Sequence, residues 1–211
     1  MVTRHFFAPG IFVLFLVACS GGGESSQTPL PPSTATQIHS IGVFVDSPVE
    51  GLQYRTATGS GLTNNAGEFK YLPGENVDFL IGDVLLGTAL GQKIVTPVTL
   101  VPDATNAHNP VVLNIVRFLM TLDDDENPDN GISISEATRT AAMGINVDFA
   151  APNFEAQPGL NQLLSQLPAS PSFVDVQSAQ THFNTSLRAH SSWGSMVWGE
   201  GAMQSPDFLV P

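Results

Sequence analysis

Residues 41–72 decide the fold, and they read IGVFVDSPVEGLQYRTATGSGLTNNAGEFKYL. Short runs rich in Val, Phe, Tyr and Thr are separated by Gly, Pro and Asn, a pattern that is typical of antiparallel strands joined by tight turns. The clearest strand is EFKYL at its end, where Phe69 and Tyr71 share one face and Glu68 and Lys70 share the other. The stretch therefore predicts a half-buried antiparallel sheet.

Further strands are predicted on the carboxyl side of this stretch. NVDFLIG at 76–82 and KIVTPVTL at 93–100 have the composition of strands. The second is expected near a sheet edge, because Pro97 cannot donate a hydrogen bond to a strand ladder. Residues 38–101 are therefore expected to form an antiparallel β-sandwich-like module.

The glycines and aromatics of this module carry a family resemblance. VDSPVEG at 45–51, followed by TNNAGEFKY at 63–71, resembles the prealbumin-like modules related to the carboxypeptidase regulatory domain. In those modules the glycines form turns and the aromatic side chains fill a sandwich. The resemblance implies a binding or spacer module, and it implies no catalytic residue.

The chain changes character after residue 101. NPVVLNIVRFLMTL at 109–122 predicts a helix that begins at an Asn109 cap followed by Pro110. Beyond that cap its polar residues lie on one narrow line, so we expect it to be buried on most of its circumference. Those residues are Asn114, Arg117 and Thr121.

Three further helices are expected in the region 102–190. SEATRTAAM at 135–143 is expected to stop at Gly144, and GLNQLLSQL at 159–167 is a second short helix. A third begins near Val174 and is expected to bury one apolar face, which comprises Val176, Ala179, Phe183 and Leu187. Residues 191–211 are expected to be an irregular tail. The predicted fold class is therefore α+β, with a β-sandwich-like module followed by a small helical region.

The loop DENPDNGISISE at 125–136 has the spacing of an EF-hand calcium loop between two helices. Alternate oxygen-bearing side chains and a final glutamate are the ligands that a hard cation prefers. The pattern predicts a structural calcium site, which gives the helical region an EF-hand-like helix-loop-helix. The candidate ligands are Asp125, Asn127, Asp129, the carbonyl of Gly131, Ser133 and Glu136.

A solvated turn is the main alternative for this loop. Asn130 replaces the usual glycine, and Pro128 restricts the residue before it. Ser133 and Glu136 also fit a capping box, which would explain the glutamate without a metal. Against the turn stands the acidic run 123–126 at the C-terminal end of a helix, where the helix dipole disfavours anions unless a cation compensates. A metal other than calcium is a further alternative.

The N-terminus predicts export. Residues 1–18 have a basic start and an apolar run too short to span a bilayer, as a secretion signal has. Their end, followed by Cys19, resembles the lipobox of bacterial lipoproteins, which implies cleavage before Cys19 and lipidation of its thiol. In a Gram-negative source Ser20 implies the outer membrane. The alternatives are an ordinary signal peptide with an incidental cysteine and a short membrane anchor.

Two compositional features complete this picture of the exported chain. Residues 19–37 are rich in Gly, Ser, Thr and Pro, which predicts a flexible tether. Cys19 is the only cysteine, so the chain forms no internal disulfide.

Charge and motifs restrict the function. The formal net charge is −12, which makes nucleic acid an unfavourable partner. The sequence contains no nucleophile elbow, phosphate-binding loop or zinc-protease motif, and its histidines are scattered, so we expect no enzyme. DSPVEGLQY at 46–54 followed by PDNGI at 128–132 is similar to surface lipoproteins and adhesin-like chains.

These observations predict a lipid-anchored binding or adhesion-like module of the cell envelope, stabilised by calcium. Its partners would be the membrane, through Cys19, and an envelope protein or a surface ligand. The alternative is an accessory or inhibitory subunit of a secreted or envelope enzyme. A hydrolase would need a pocket with convergent polar groups.

Overall fold

The computed structural model describes residues 38–168 and 170–197, with side chains to residue 190. Within this part of the chain, nine strands form three sheets. In chain order they are β1 (Ser40–Phe44), β2 (Val49–Glu50), β3 (Gln53–Arg55), β4 (Ser60–Leu62), β5 (Glu68–Tyr71), β6 (Asn76–Ile81), β7 (Val84–Leu90), β8 (Ile94–Val95) and β9 (Ile132–Ser133). The four-stranded sheet has the order β4-β3-β6-β7 and is antiparallel. The three-stranded sheet has the order β5-β1-β8, and β2 pairs with β9.

The described helices are α1 (Pro97–Leu100), α2 (Pro110–Thr121), α3 (Glu136–Ala141), α4 (Pro158–Gln166) and α5 (Val176–Val197). Two 3-10 turns, Pro128–Asn130 and Phe154–Ala156, lie in the loops between them. The predicted α+β class is confirmed. The described residues belong to one unit, Gln37–Pro211. The predicted signal peptide, Cys19 and the predicted tether lie outside the described residues.

The strand pattern of the deciding stretch is confirmed at β5. Phe69 and Tyr71 are buried while Glu68 and Lys70 are exposed, as alternation along a half-buried strand requires. β1 lies antiparallel to β5, but it lies parallel to β8 on its other side, and β2 and β9 are also parallel. The expectation of wholly antiparallel pairing is therefore wrong, because β8 and β9 reach their partners over long connections.

The predicted strand at 93–100 is wrong in its second half. β8 ends at Val95, and Pro97 begins α1 instead of continuing an edge strand. Thr96 and Thr99 stabilise this start: the Thr99 hydroxyl donates to the Thr96 carbonyl (2.7 Å) and accepts from the Thr96 amide (2.9 Å). Proline is favourable at the first helical position, where its missing donor costs nothing.

Helix α2 is confirmed together with its cap. The Asn109 side chain accepts a hydrogen bond from the Val111 amide (2.9 Å), and most of the helix is buried. The polar line of the helix binds neighbouring segments. Asn114 donates to the Phe149 carbonyl (2.9 Å), and the Thr121 hydroxyl accepts from the Val174 amide (3.0 Å).

The helix expected from about Val174 is α5, and its buried face is confirmed only in part. Ala179 and Phe183 are buried, but Val176 is 45% exposed because it stands at the first turn, where the packing begins. The helix runs beyond position 190 to Val197, into the stretch expected to be irregular. Residues 198–211 lie outside the described residues.

One hydrophobic core joins the strand-rich and helical regions. Phe79 of β6 contacts Phe44 of β1 and Phe69 of β5, with ring centroids 4.9 and 5.1 Å apart. Buried apolar residues of α2, α4 and α5 belong to the same cluster. The pairing of β2 with β9 adds a backbone connection between the two regions.

Candidate functional site

The acidic loop joins α2 to α3 and is anchored on the strand-rich region through β9. The Ile132 amide donates to the Pro48 carbonyl (2.9 Å), and the Ile134 amide donates to the Glu50 carbonyl (2.9 Å). Ile132 itself is buried, at the position where an EF-hand loop also places an apolar residue. The loop is therefore fixed at its carboxyl end by the β2 strand and at its amino end by the buried α2 helix.

Asp123 closes the base of this loop. Its Oδ1 atom accepts the Ser133 amide (2.8 Å), and the Asp124 amide donates to the Ser133 carbonyl (2.9 Å). Its side chain is buried, and Oδ2 has no hydrogen-bond partner within the described part of the chain. Burial raises the pKa of Asp123 and the nearby Asp125 charge raises it further, while the Ser133 amide opposes both effects.

Asp125 organises the tip of the loop. Its Oδ2 atom accepts the Asn130 side-chain amide (2.8 Å), and its Oδ1 atom accepts the Asn127 backbone amide (3.0 Å). These two donors lower the pKa of Asp125, the Asn130 amide most. Its charge also acts on the Asp123 carboxyl group at the base of the loop. Two interacting acidic side chains thus belong to one loop.

The backbone of the loop differs from the predicted geometry. Asn130, which stands at the position of the usual EF-hand glycine, lies in a 3-10 turn and does not have a positive φ. Glu126 (φ +57°) and Gly131 (φ +112°) have the positive φ values. A Cβ atom on Gly131 would lie only 3.2 Å from the Pro48 carbonyl oxygen, so the glycine permits the close approach of the loop to β2.

Glu136 is the last of the candidate ligands along the chain. It is the exposed first residue of α3 and lines a groove to which no described residue of 123–133 contributes. The cap of α3 is Ser135, whose side chain accepts the Thr138 amide (3.2 Å), so the predicted capping box of Ser133 and Glu136 is wrong. Ser133 is held in β9 by its pairing with β2, which removes it from the helix start.

The structure brings together Asp125, Asn127 and Asn130, with Asp123 beneath them. Asp129 lies in the 3-10 turn, and Gly131 and Ser133 lead into β9. Over residues 38–168 and 170–197, no group of three or more His, Cys, Asp or Glu side chains is arranged to hold a metal ion.

A second polar cluster, which sequence reasoning missed, lies where the Asp46–Pro48 turn meets α5. Asp46 is fully buried, and neither carboxylate oxygen has a hydrogen-bond partner among the described residues. The His182 Nε2 atom lies 3.7 Å from Asp46 Oδ1 and 3.3 Å from the Asp46 carbonyl oxygen. Ser47 has a φ of +62°. Its backbone amide donates to the Ser186 hydroxyl (2.7 Å).

Burial determines the protonation of this cluster. Loss of solvent raises the pKa of Asp46 well above its usual range. Burial lowers the pKa of His182, while the Asp46 carbonyl oxygen and the charge of Asp129 in the acidic loop act in the opposite direction. The cluster therefore favours a neutral acid beside a neutral imidazole, and it links α5 electrostatically to the acidic loop.

Asp46, Ser47 and His182 are the residue types of a hydrolytic triad, but their geometry is different. The Ser47 hydroxyl lies 3.4 Å from His182 Nε2, and the Asp46 carboxylate approaches the same nitrogen. A triad needs the acid and the hydroxyl on opposite ring nitrogens. No signal in the sequence could have found this cluster, since 135 residues separate Ser47 from His182.

Arg117 of α2 lines a surface groove beside the helix. The Arg117 side chain is buried, donates from Nε to the Val174 carbonyl (2.6 Å), pairs with Glu155 and lies 4.4 Å over the Phe173 ring. These contacts occupy the guanidinium and tie α2 to the segment that precedes α5. Arg117 therefore has a structural role in the described fold.

Within the described residues, no helix is both long enough and apolar enough to cross a membrane. The chain matches no family model, and neither the curated proteins nor the solved structures include a significant match.

Proposed function

We propose that this protein is a lipid-anchored, non-enzymatic module of the bacterial envelope, and that calcium braces its fold at the acidic loop. The observation that carries the proposal is a buried Asp123 with an unpaired Oδ2 atom, among the described residues, in the same loop as Asp125, a loop that is fixed on both sides. Two adjacent carboxylates are unfavourable by themselves and favourable around a hard cation.

The position of the loop gives calcium a structural role. The loop is hydrogen-bonded to β2 and continues from α2. A cation there would hold these two elements in one arrangement, and it would raise stability because it binds the folded chain better than the unfolded one. An EF-hand-like site with Asp125, Asn127, Asp129, Gly131, Ser133 and Glu136 is the form that the spacing suggests.

The lipid anchor is the second part of the proposal, and the sequence around Cys19 supports it. Removal of residues 1–18 would also remove Arg4, which would make the net charge of −12 one unit more negative. Such a chain is suited to cations and to uncharged or basic surface ligands, and unsuited to nucleic acid. Export to the outer membrane would place it where extracellular calcium is available.

The calcium test is a calorimetric titration of the mature chain, extracted in detergent and stripped of metal with a chelator. The matched control is the Asp125→Ala, Glu136→Ala double variant. We expect saturable one-site binding and a higher melting temperature in the native chain, both lost in the double variant. The absence of heat at millimolar calcium, together with an unchanged melting temperature, would refute the calcium part of the proposal.

The anchor test is metabolic labelling with radioactive palmitate in a Gram-negative host. The native chain is expected to carry label and to sediment with outer membranes. Cys19→Ser is expected to carry none, because it removes the thiol that is acylated. A labelled Cys19→Ser chain, or an unlabelled native chain that is processed normally, would refute lipidation at this residue.

An accessory or inhibitory subunit is the second candidate, and an apolar row on the four-stranded sheet favours it. Leu62 of β4, Leu80 of β6 and Leu85 of β7 lie in one row, with Gln53 of β3 between Leu62 and Leu80, and Leu62 and Leu85 are 48% and 46% exposed. Such a row can seat a protein partner. Leu62→Lys with Leu85→Lys would then release a copurifying envelope enzyme while calcium binding stays intact.

A further inference from the structure

The acidic loop holds an unpartnered buried oxygen, and this oxygen belongs to a residue outside the EF-hand spacing. Asp123 is only 4% exposed, and its Oδ2 atom has no hydrogen-bond partner within the described residues. Its Oδ1 atom is fixed by the Ser133 amide at 2.8 Å. A buried carboxylate oxygen without a partner is costly, and an ion is one of the few things that explain it in a native fold.

Asp125 lies two residues after Asp123 in the same loop, and its charge acts on the Asp123 carboxyl group. The Asp125 Oδ1 atom accepts the Asn127 backbone amide (3.0 Å). Both acids also follow the C-terminal end of α2, where the helix dipole presents negative charge. A cation between the two carboxylates would relieve both repulsions.

Counting from Asp123 gives a different ligand register. Asp123, Asp125 and Asn127 then occupy alternate positions 1, 3 and 5 of a calcium loop. Position 12 becomes Ile134, which is buried and has no oxygen on its side chain. Calcium accepts six to eight oxygen ligands and can complete its shell with carbonyl oxygens and water.

The placement of Glu136 agrees with this register. Glu136 is exposed at the start of α3 and lines a groove together with Gln53 and Arg139. Between Asp125 and Glu136 the chain is held in β9 by its pairing with β2.

We propose that a calcium ion binds between the Asp123 and Asp125 carboxylates, with Asp123 as the buried inner ligand, and that Glu136 is not a ligand. This inference rests on the proposed function, in which calcium braces the loop. Without a bidentate glutamate the site belongs with the weak extracellular calcium modules, whose dissociation constants are about 10⁻⁴ to 10⁻³ M.

The test compares three single variants of the mature, metal-stripped chain by calcium calorimetry and thermal melting. Asp123→Asn keeps an oxygen for the Ser133 amide but removes the charge, and Asp125→Asn does the same at the mouth of the loop. Glu136→Gln is the matched control of equal charge change on an exposed residue. The probe is calcium chloride alone.

We expect Asp123→Asn and Asp125→Asn each to weaken calcium binding by at least about ten-fold, since even the loss of groups that only support metal ligands costs that much. Glu136→Gln should change the affinity less than about two-fold, within the loss expected of a non-ligand. Metal-free Asp123→Asn should melt at or above the temperature of the metal-free native chain, because the repulsion between two acids is gone. Lost binding with retained stability separates a ligand from a residue needed only for folding.

The failure of this inference and that of the proposed function have different signatures. Binding that Glu136→Gln abolishes and Asp123→Asn preserves would overturn the inference and leave calcium bracing in place. The absence of calcium binding by the native chain would overturn both. Glu136→Gln alters an exposed side chain, so it decides the ligand register even if Asp123→Asn fails to fold.

Discussion

Asp46→Asn is the substitution for which the structure gives the sharpest expectation. The native carboxyl group is fully buried, has no hydrogen-bond partner among the described residues, and has His182 Nε2 as a neighbour 3.7 Å from Oδ1. Asparagine has nearly the same shape and cannot ionise. The substitution therefore tests what ionisation of this one group costs the fold.

The sign follows from the raised pKa of Asp46. A carboxyl group whose pKa rises on folding favours the native state below its unfolded pKa, and this advantage is lost as the pH rises through the folded pKa. At pH 7 the unfolded chain is ionised, whereas the native chain must either bury the charge or keep a proton. Keeping the proton costs about 1.4 kcal/mol for each of the roughly three pH units above the unfolded value, so the penalty is at most about 4 kcal/mol.

We therefore expect Asp46→Asn to raise the free energy of unfolding by about 1–3 kcal/mol at pH 7, after local relaxation. The gain should vanish near pH 3.5, where the native carboxyl is protonated in both folded and unfolded chains to about the same extent. Urea unfolding followed by circular dichroism, at a series of pH values and with a chelator present, measures the difference. His182→Gln provides the second side of a double-variant cycle.

A lower stability of Asp46→Asn at pH 7 would refute this reasoning. It would mean that Asp46 is ionised and paired with a protonated His182, and the cycle would then give a favourable coupling between the two residues. The pKa of His182 is lowered mainly by burial, so its neutral form favours the native state above about pH 6.5 and that contribution is lost as the pH falls. The two contributions therefore change in opposite directions as the pH rises.

Three other substitutions test the packing. Phe79→Ala should cost about 3–5 kcal/mol of unfolding free energy, because the ring is fully buried among other aromatic rings. A loss of less than about 1 kcal/mol, measured by urea unfolding, would contradict the shared core. Arg117→Lys should cost about 1–3 kcal/mol, because lysine cannot reproduce the planar guanidinium contacts, and an unchanged midpoint would contradict its structural role. Gly42→Ala should cost about 1–3 kcal/mol of unfolding free energy, because its Cβ would overlap the Gln92 carbonyl oxygen. The control Gly59→Ala meets open space and should be neutral. Equal urea midpoints for the two variants would contradict the close approach of Gly42 to Gln92.

Local patterns predicted much of the fold. The alternation at Glu68–Tyr71 and the Asn109 cap before Pro110 each act within a few residues, and both are found as expected. The acidic loop was also predicted to connect two helices, and it does so between α2 and α3. These features depend on backbone preferences and on side-chain periodicity, which neighbours in sequence determine.

The predictions that are wrong concern segments whose local pattern fits two different structures. Residues 97–100 are composed like a strand, but Pro97 suits a helix start equally well, and packing of Leu100 against Gly87 of β7 accompanies the helical form. Glu136 fits both a calcium loop and a capping box by spacing. The structure instead caps α3 with Ser135, because pairing of β9 with β2 commits Ser133 to a strand.

The sequence by itself determined the α+β class, the principal strands and helices, and the acidic loop as the place to look for a cation. Only the tertiary structure decided that Asp123 is buried with one oxygen unpaired among the described residues, that Asp46 meets His182, and that β2 and β9 pair. The physical reason is that desolvation and contact between distant segments control these features. Neither is encoded in the spacing of neighbouring residues, because both arise when the chain has closed around its core.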